Sequence, residues 1–278
     1  MNASPLASFL RPAGFERPPA SAVLREGSAV AEAGRYALRA VGERRGRRGT
    51  TYLQRVPQRP PHPVVLVPGF LAGDSSLALM ARALRVQGFR TYRSTIHANI
   101  GCTMNAAAQL EARLESIVAR RDSPVQIVGH SLGGMLARGI AVRRPDLVAG
   151  IVTMGSPMLA PGAHHVSLSA SVDILVRLSR AGVPGLMSEE CVAGECARQS
   201  FDESQQPVPN GVGFTAIYSK RDGIVDWRAC IDPQARPIEV TTSHLGMAFD
   251  PRVIDHVAAT LRRQTFVSAV EVDRGESA

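Results

Sequence analysis

Lysine is almost missing from this 278-residue chain, because Lys220 is the only one and arginine supplies the net charge of +8. Hydrophobic residues make up 45% and charged residues 20% of the sequence, a mixture typical of folded globular proteins. Part of the charge is clustered in Arg39, Arg44, Arg45, Arg47, Arg48, Arg55 and Arg59. No interleaved aromatic residues and no nucleic-acid-binding motif accompany this cluster, so we predict a solvated basic linker and expect no nucleic acid partner.

Long apolar runs are also lacking. No stretch of about 18 consecutive apolar residues occurs, which predicts that the protein has no transmembrane helix. The first thirty residues contain several prolines and arginines but no sustained apolar segment of the kind found in secretory signals. We therefore expect a cytoplasmic protein. The arginine cluster leaves peripheral contact with an anionic membrane surface open, and the pattern does not indicate an oligomeric state.

Cysteine is scarce as well, with only Cys102, Cys191, Cys196 and Cys230. Four scattered cysteines are too few for a disulfide scaffold in a chain of this length. Cys191 and Cys196 are close enough for a small disulfide loop or for half of a zinc site, but the sequence shows no second pair to complete the site. We therefore predict no metal site. Cys102 and Cys230 are expected to be buried, with a contact between them left open.

Short apolar segments alternate with amphipathic ones along most of the chain, which predicts a parallel sheet with helices on both faces. The predicted strands are 64–67, 89–96, 125–128, 151–154, 214–218 and 238–241. The predicted helices are 22–41, 75–87, 106–121, 132–143, 172–178 and 251–263.

Three regions follow from this pattern. Residues 1–60 form an N-terminal arm with an amphipathic helix and the basic linker, and 266–278 form a C-terminal tail. Residues 61–265 form an α/β domain, interrupted at about 156–212 by a cap-like insertion rich in glycine, proline and polar residues. The apolar residues of this insertion suit either a cover over a substrate pocket or ordinary packing onto the core.

The sequence Gly-His-Ser-Leu-Gly at 129–133 follows a predicted strand and opens a predicted helix. A serine on such a sharp turn is exposed to substrate, and the small residues around it let helix and strand approach closely. We therefore predict that Ser131 is a nucleophile and that the backbone N–H of Leu132 stabilises an oxyanion. The second donor is expected at the end of the first strand, from Phe70 or, failing that, Leu71. The competing interpretation is an ordinary glycine-rich turn.

A serine hydroxyl needs a histidine to accept its proton and a carboxylate to orient that histidine. His244 directly follows the last predicted strand and is our candidate base. Asp222 lies in the loop after the strand at 214–218 and is the preferred acid, with Asp226 as its rival. The chain order serine, acid, histidine is that of the nucleophile-elbow hydrolases.

Four motifs resemble the lipase and esterase-like α/β hydrolases: V-P-G-F, G-H-S-L-G-G, Y-S-x-x-D-G-I-V-D-W and S-H-L-G-M. The resemblance runs from about residue 64 to 263. It implies an α/β-hydrolase fold with a mostly parallel, eight-stranded type of sheet and a cap or lid insertion. It also implies a cofactor-free acyl-enzyme mechanism on ester or lipid substrates, with Ser131, Asp222 and His244 as catalytic residues. Some relatives are thioesterases or acyltransferases, and a non-catalytic binding protein of the same fold is a further alternative.

Overall fold

The structure is a computed structural model and describes residues 7–47 and 62–275. Most of the predicted basic linker, including Arg48, Arg55 and Arg59, lies outside these residues, as do residues 276–278. Within the described ranges, no helix is sufficiently long and apolar to cross a membrane.

One parallel sheet forms the centre of the molecule. Its strands are β1 (Val64–Val67), β2 (Thr91–Arg93), β3 (Val125–His130), β4 (Val148–Met154), β5 (Gly213–Tyr218) and β6 (Arg236–Glu239). They lie in the order β2-β1-β3-β4-β5-β6. β3 and β4 are buried along their whole length. The described residues thus form six strands, all of them parallel, two fewer than in the eight-stranded type of sheet that the resemblance implies.

Helices cover both faces of the sheet. They are α1 (Ala29–Arg47), α2 (Ala78–Val86), α3 (Thr103–Arg121), α4 (Leu132–Arg143), α5 (Val166–Arg180), α6 (Glu189–Ala193), α7 (Glu195–Gln205) and α8 (Pro251–Gly275). Shorter 3₁₀ helices lie at Ser8–Leu10, Ala20–Ser28, Asp74–Leu77, Trp227–Cys230 and Leu245–Ala248.

Alternate residues of each strand pack into separate cores on the two faces. On one face, Val65 and Ile127 pack with Leu110 of α3 and Ile140 of α4. On the other face, the strand residues contact α2 and α8, which contribute Met80, Leu84, Val253 and Val257. The sheet is therefore covered on both sides, which explains why its central strands are continuously apolar.

The N-terminal arm packs against the domain near α2 and α8. The Tyr36 hydroxyl donates to the carbonyl of Leu79 at 3.1 Å, and Arg35 pairs with the buried carboxylate of Asp250 at 2.7 Å. Both contacts hold α1 against the face that carries α2 and α8. The single helix predicted at 22–41 is in fact a 3₁₀ helix, Ala20–Ser28, followed by α1.

The insertion predicted at about 156–212 contains α5, α6 and α7, of which the sequence pattern indicated only part of α5. Its small apolar cluster consists of Val172, Val176, Met187 and Val192. Phe70, just beyond the end of β1, packs against this cluster. The insertion is thereby attached to the loop that was predicted to supply an oxyanion donor.

Element boundaries differ from prediction mainly at the sheet edges and the C-terminus. β2 is shorter than the predicted 89–96, and β6 begins two residues before the predicted 238 and ends before 241. Both are partly exposed edge strands, where hydrophobic alternation is weak. The last helix continues to Gly275, so the tail predicted to start at 266 is helical for most of its length.

A buried ion pair connects α4 to the loop before β6. Arg138 donates from Nε to Oδ2 of Asp232 at 2.7 Å, and both side chains are almost completely buried. Arg138 also donates to the carbonyl of Gln206 at 3.0 Å, at the end of the insertion. A buried ion pair is sensitive to the loss of one partner, because the remaining charge has no water to solvate it.

We therefore expect Asp232→Ala to lower the free energy of unfolding by about 3–5 kcal/mol. Urea denaturation followed by circular dichroism measures this change. The control is Asp146→Ala, which breaks the exposed ion pair between Arg144 and Asp146. This substitution should change the urea concentration at the midpoint of unfolding only slightly. Equal effects of the two substitutions would contradict the structural role of the buried pair.

Candidate active site

Ser131 occupies the sharp turn between β3 and α4. Its backbone has φ 53° and ψ −122°, a conformation that side-chain-bearing residues rarely adopt and that costs about 1–3 kcal/mol. The turn is held by hydrogen bonds from Ser131 N to Met154 O at 2.8 Å and from Gly134 N to Ser131 O at 3.0 Å. Surrounding structure thus fixes a strained serine at the carboxyl end of the sheet.

Two glycines make this turn sterically feasible. A Cβ on Gly129 would overlap the backbone of Gly133 and Gly134, and a Cβ on Gly133 would overlap the carbonyl of Val67 at the end of β1. Any larger residue would push α4 away from the strands. The glycine pattern in the sequence therefore indicates the close approach of α4 to the strands.

His244 and Asp222 form a buried pair beside the turn. Nδ1 of His244 donates to Oδ2 of Asp222 at 2.6 Å. The other carboxylate oxygen, Oδ1, accepts the N–H groups of Ile224 and Val225 at 2.8 and 2.9 Å. These bonds fix the orientation of Asp222, and because Nδ1 carries the proton, Nε2 is left as the basic nitrogen of a neutral ring.

Asp226, the rival acid, has a different environment. Its carboxylate accepts from the backbone N–H and Nε of Arg228 at 3.1 and 3.0 Å, and from the N–H of Glu16 at 3.1 Å. It also caps the 3₁₀ helix at Trp227–Cys230. Asp226 therefore connects the loop to the N-terminal arm, whereas Asp222 contacts His244.

Ser131 lines two adjoining cavities. One has a volume of about 530 Å³ and is also lined by Gly69, Phe70, His130 and His244. The other, about 140 Å³, extends beneath the insertion, where Leu168, Val172, Met187 and Val192 are among its mainly apolar lining residues. The structure thus brings Ser131 and His244 to the same cavity and adds a second, apolar space on the insertion side.

The predicted oxyanion donors lie next to Ser131. Leu132 is the first residue of α4, where helical N–H groups have no partner within the helix. Leu71, the alternative to Phe70, already donates its N–H to the carbonyl of Asn99 at 3.1 Å. Among the described residues, the N–H of Phe70 has no such acceptor, so Phe70 keeps a donor available at the cavity wall.

Comparisons with known proteins support the fold described above. Residues 62–189 match the family model described as alpha/beta hydrolase fold. A lipase structure from Bacillus licheniformis, BlEst2 in its mature form, superposes with a TM-score of 0.60 at 14% identity and covers 74% of this chain and 94% of that one. The pyrethroid hydrolase PytH superposes with a TM-score of 0.50 at 16% identity, covering 72% of this chain and 96% of that one.

The chain has the α/β-hydrolase fold. Among curated sequences, a triacylglycerol lipase of Vibrio cholerae is 30% identical over 140 residues, which is 48% of this chain. The match spans only 41% of that lipase.

In this α/β hydrolase-fold protein, the buried His130 lies next to His244. Its Nε2 donates to the carbonyl of His244 at 3.0 Å, and the two ring centroids lie 4.8 Å apart. Burial, together with the neighbouring His244, lowers the pKa of His130 to about 3. His130 therefore stays neutral and supports the backbone of His244.

Two buried carboxylates from the N-terminal arm contact the His244 loop, and the sequence pattern did not reveal them. Glu26 accepts the N–H groups of Gly223, His244 and Leu245 at 2.9, 3.0 and 2.9 Å. Glu32 accepts the N–H of Ser243 at 2.9 Å and its hydroxyl at 2.5 Å. Acidic residues in an amphipathic segment usually face solvent, so only tertiary packing could identify these two.

The pKa of His244 reflects opposing influences. Burial lowers it, but the charge and hydrogen bond of Asp222 and the charge of Glu26 outweigh burial, so that the pKa lies above its usual 6.5.

We expect Asp222→Asn to lower the pKa of His244 by about 1–3 pH units, because the imidazolium loses its adjacent anion. An NMR titration of the His244 ring protons measures the change. Asp226→Asn is the matched control and should leave the pKa of His244 nearly unchanged. A larger shift in the Asp226 variant would make Asp226 the partner of the histidine.

Proposed function

We propose that this protein hydrolyses carboxylic esters through an acyl-enzyme formed on Ser131. The main support is that Ser131, on a strained turn, lines the same cavity as His244, whose Nδ1 is held by Asp222 at 2.6 Å. This combination contains a nucleophile, a base and an orienting acid in one site. The resemblance to lipases agrees with the proposal.

In the first half of the reaction, Nε2 of His244 takes the proton of the Ser131 hydroxyl while Oγ attacks the ester carbonyl. The imidazolium that forms is stabilised by Asp222. It then gives the proton to the departing alkoxide, which leaves as an alcohol. In the second half, His244 activates a water that attacks the acyl-enzyme, and the carboxylic acid is released with Ser131 restored.

In this proposal, the N–H groups of Phe70 and Leu132 donate to the oxyanion of each tetrahedral intermediate. Backbone donors of this kind cost no reorganisation during the reaction, because the fold has already fixed them. The helix dipole of α4 adds positive potential at Leu132.

The two cavities at Ser131 suit the two parts of an ester. The insertion-side cavity is lined mostly by apolar side chains, which favours an acyl chain or another apolar group. The larger cavity contains His244 and suits the alcohol part, which must receive a proton from that residue. Lipid or other acyl esters are therefore the substrate class that we propose.

A panel of p-nitrophenyl esters of increasing acyl length tests the proposal. Wild-type protein should hydrolyse them, and Ser131→Ala should lower kcat/KM by at least about 10⁴-fold. The rate should also fall as pH drops below the raised pKa of His244, because protonation removes the base.

Ser76→Ala is the control, since Ser76 lines the larger cavity without belonging to the proposed triad. It should retain most of the activity. Wild-type rates in the Ser131 variant would overturn the assignment of the nucleophile, and an inactive wild type across the whole panel would overturn the substrate class.

A further inference from the structure

Three of the four cysteines lie together although they are far apart in sequence. The Sγ atoms of Cys102, Cys191 and Cys196 are all within 4.8 Å of one another, and those of Cys102 and Cys196 are 3.4 Å apart. All three are free, partly exposed thiols. Cys102 precedes Cys196 by 94 residues, so the third thiol was not expected from the sequence.

The thiols come from the two sides of a junction between the domain body and the insertion. Cys102 immediately precedes α3, whereas Cys191 lies in α6 and Cys196 in the first turn of α7. The N–H of Met187 donates to the carbonyl of Ile100 at 2.9 Å, which fixes the insertion next to Cys102.

The α6–α7 turn is itself well ordered by hydrogen bonds. Oε1 of Glu190 accepts the N–H groups of Glu195 and Cys196 at 2.6 and 3.2 Å. This carboxylate therefore holds Cys191 and Cys196 in a fixed relation to one another. A preformed arrangement of ligands reduces the entropy lost when an ion binds.

The thiolate, rather than the thiol, is the form that coordinates metals, so each of the three cysteines would bind an ion as its thiolate.

We propose that Cys102, Cys191 and Cys196 form a zinc-binding site that fastens the insertion to the domain body. Sulfur atoms around a tetrahedral zinc lie about 3.8 Å apart, given Zn–S bonds of about 2.3 Å, and the three thiols need only small movements to reach this geometry. Three thiolates form a soft ligand set that suits Zn²⁺, and the fourth position is left for water. Each thiol that is protonated before binding releases its proton to solvent, and no redox change is involved.

The proposed zinc site adjoins the apolar cavity that Ser131 lines. Cys191 also lines the apolar cavity that contains Ser131. A bound ion would therefore fix one wall of that cavity by joining α6 and α7 to the start of α3. The proposal does not depend on the reaction proposed for Ser131.

Titration of the reduced, full-length protein with Co²⁺ under anaerobic conditions tests the site. We expect stoichiometric binding with intense near-ultraviolet sulfur-to-cobalt charge-transfer bands and the visible bands of tetrahedral cobalt. Added Zn²⁺ should abolish both. This measurement uses the wild type and does not depend on any variant remaining folded.

We expect Zn²⁺ to bind at least about tenfold more weakly to each of three variants, Cys102→Ser, Cys191→Ser and Cys196→Ser. Substitution of a residue that only supports a metal ligand already lowers metal affinity by about tenfold or more, and these substitutions remove a ligand itself. Cys230→Ala is the control, because this buried thiol lies outside the cluster, and it should bind Zn²⁺ as wild type does. Absence of the charge-transfer bands in wild type would overturn the proposal. So would unchanged affinity in folded variants of all three clustered cysteines.

A second, independent observation concerns Glu26. Its side chain accepts hydrogen bonds from both the Asp222 loop, through Gly223, and the His244 loop, through His244 and Leu245. Glu26 is only 8% exposed, and its charge contributes to the raised pKa of His244. The other ionisable groups around His244 are Asp222, His130 and, through Ser243, Glu32.

We infer that Glu26 is a positioning residue, which holds Asp222 and His244, the acid and the base of the proposed triad, in a fixed position relative to each other. This inference rests on the proposed function. A carboxylate can accept all three N–H groups at once, whereas the amide of a glutamine would place N–H against N–H at one of them. Both the charge around His244 and the geometry of its loop thus depend on Glu26, a residue of the N-terminal arm.

Glu26→Gln should lower kcat for esters by about tenfold or more with a smaller change in KM, and lower the pKa of His244 measured by NMR. Glu43→Gln, an exposed change in the same arm, is the control and should alter neither. A reduced melting temperature with an unchanged His244 titration and kcat would overturn the positioning role. An inactive wild type would overturn the proposed function alone, because the NMR titration still reports the effect of Glu26 on His244.

Discussion

The close approach of α4 to the ends of β1 and β3 is the constraint on which the rest of the site depends. It requires glycine at 129 and 133 and forces Ser131 into a backbone conformation with positive φ. This strain is offset by the packing of the sheet and by hydrogen bonds to β4 and within the turn. Because the turn is held on several sides, the Ser131 hydroxyl has a defined position in the cavity that His244 also lines.

The surroundings of this turn are supplied by parts of the chain that are distant in sequence. The N-terminal arm contributes Glu26 and Glu32 to the loop that carries His244, and the insertion covers the cavity on the opposite side. Neither region belongs to the central sheet, yet both contact the walls of the site. The arm and the insertion thus have a direct physical connection to the chemistry proposed for the core.

Prediction from sequence succeeded where a local pattern had a single physical interpretation. The predicted bounds of β1 and the approximate bounds predicted for α4 agree with the structure, since both elements combine a buried face with clear glycine or proline boundaries. It was less successful at β6, where Arg236–Glu239 lies at the edge and is mostly exposed. It also missed α6 and α7, which are short and polar and pack as a pair rather than through a long apolar stripe.

The sequence by itself determined the α/β alternation, the strained Ser131 turn and the order of Ser131, Asp222 and His244, because these depend on local spacing and on backbone sterics. The sequence favoured Asp222 over Asp226, and the tertiary structure shows that the Asp222 carboxylate contacts the imidazole of His244, whereas Asp226 pairs with Arg228. Only the tertiary structure joined Cys102 to the cysteines of the insertion and brought Glu26 into contact with the loops that carry Asp222 and His244. Contacts of this kind connect residues separated by about a hundred to two hundred positions, and no local periodicity encodes them.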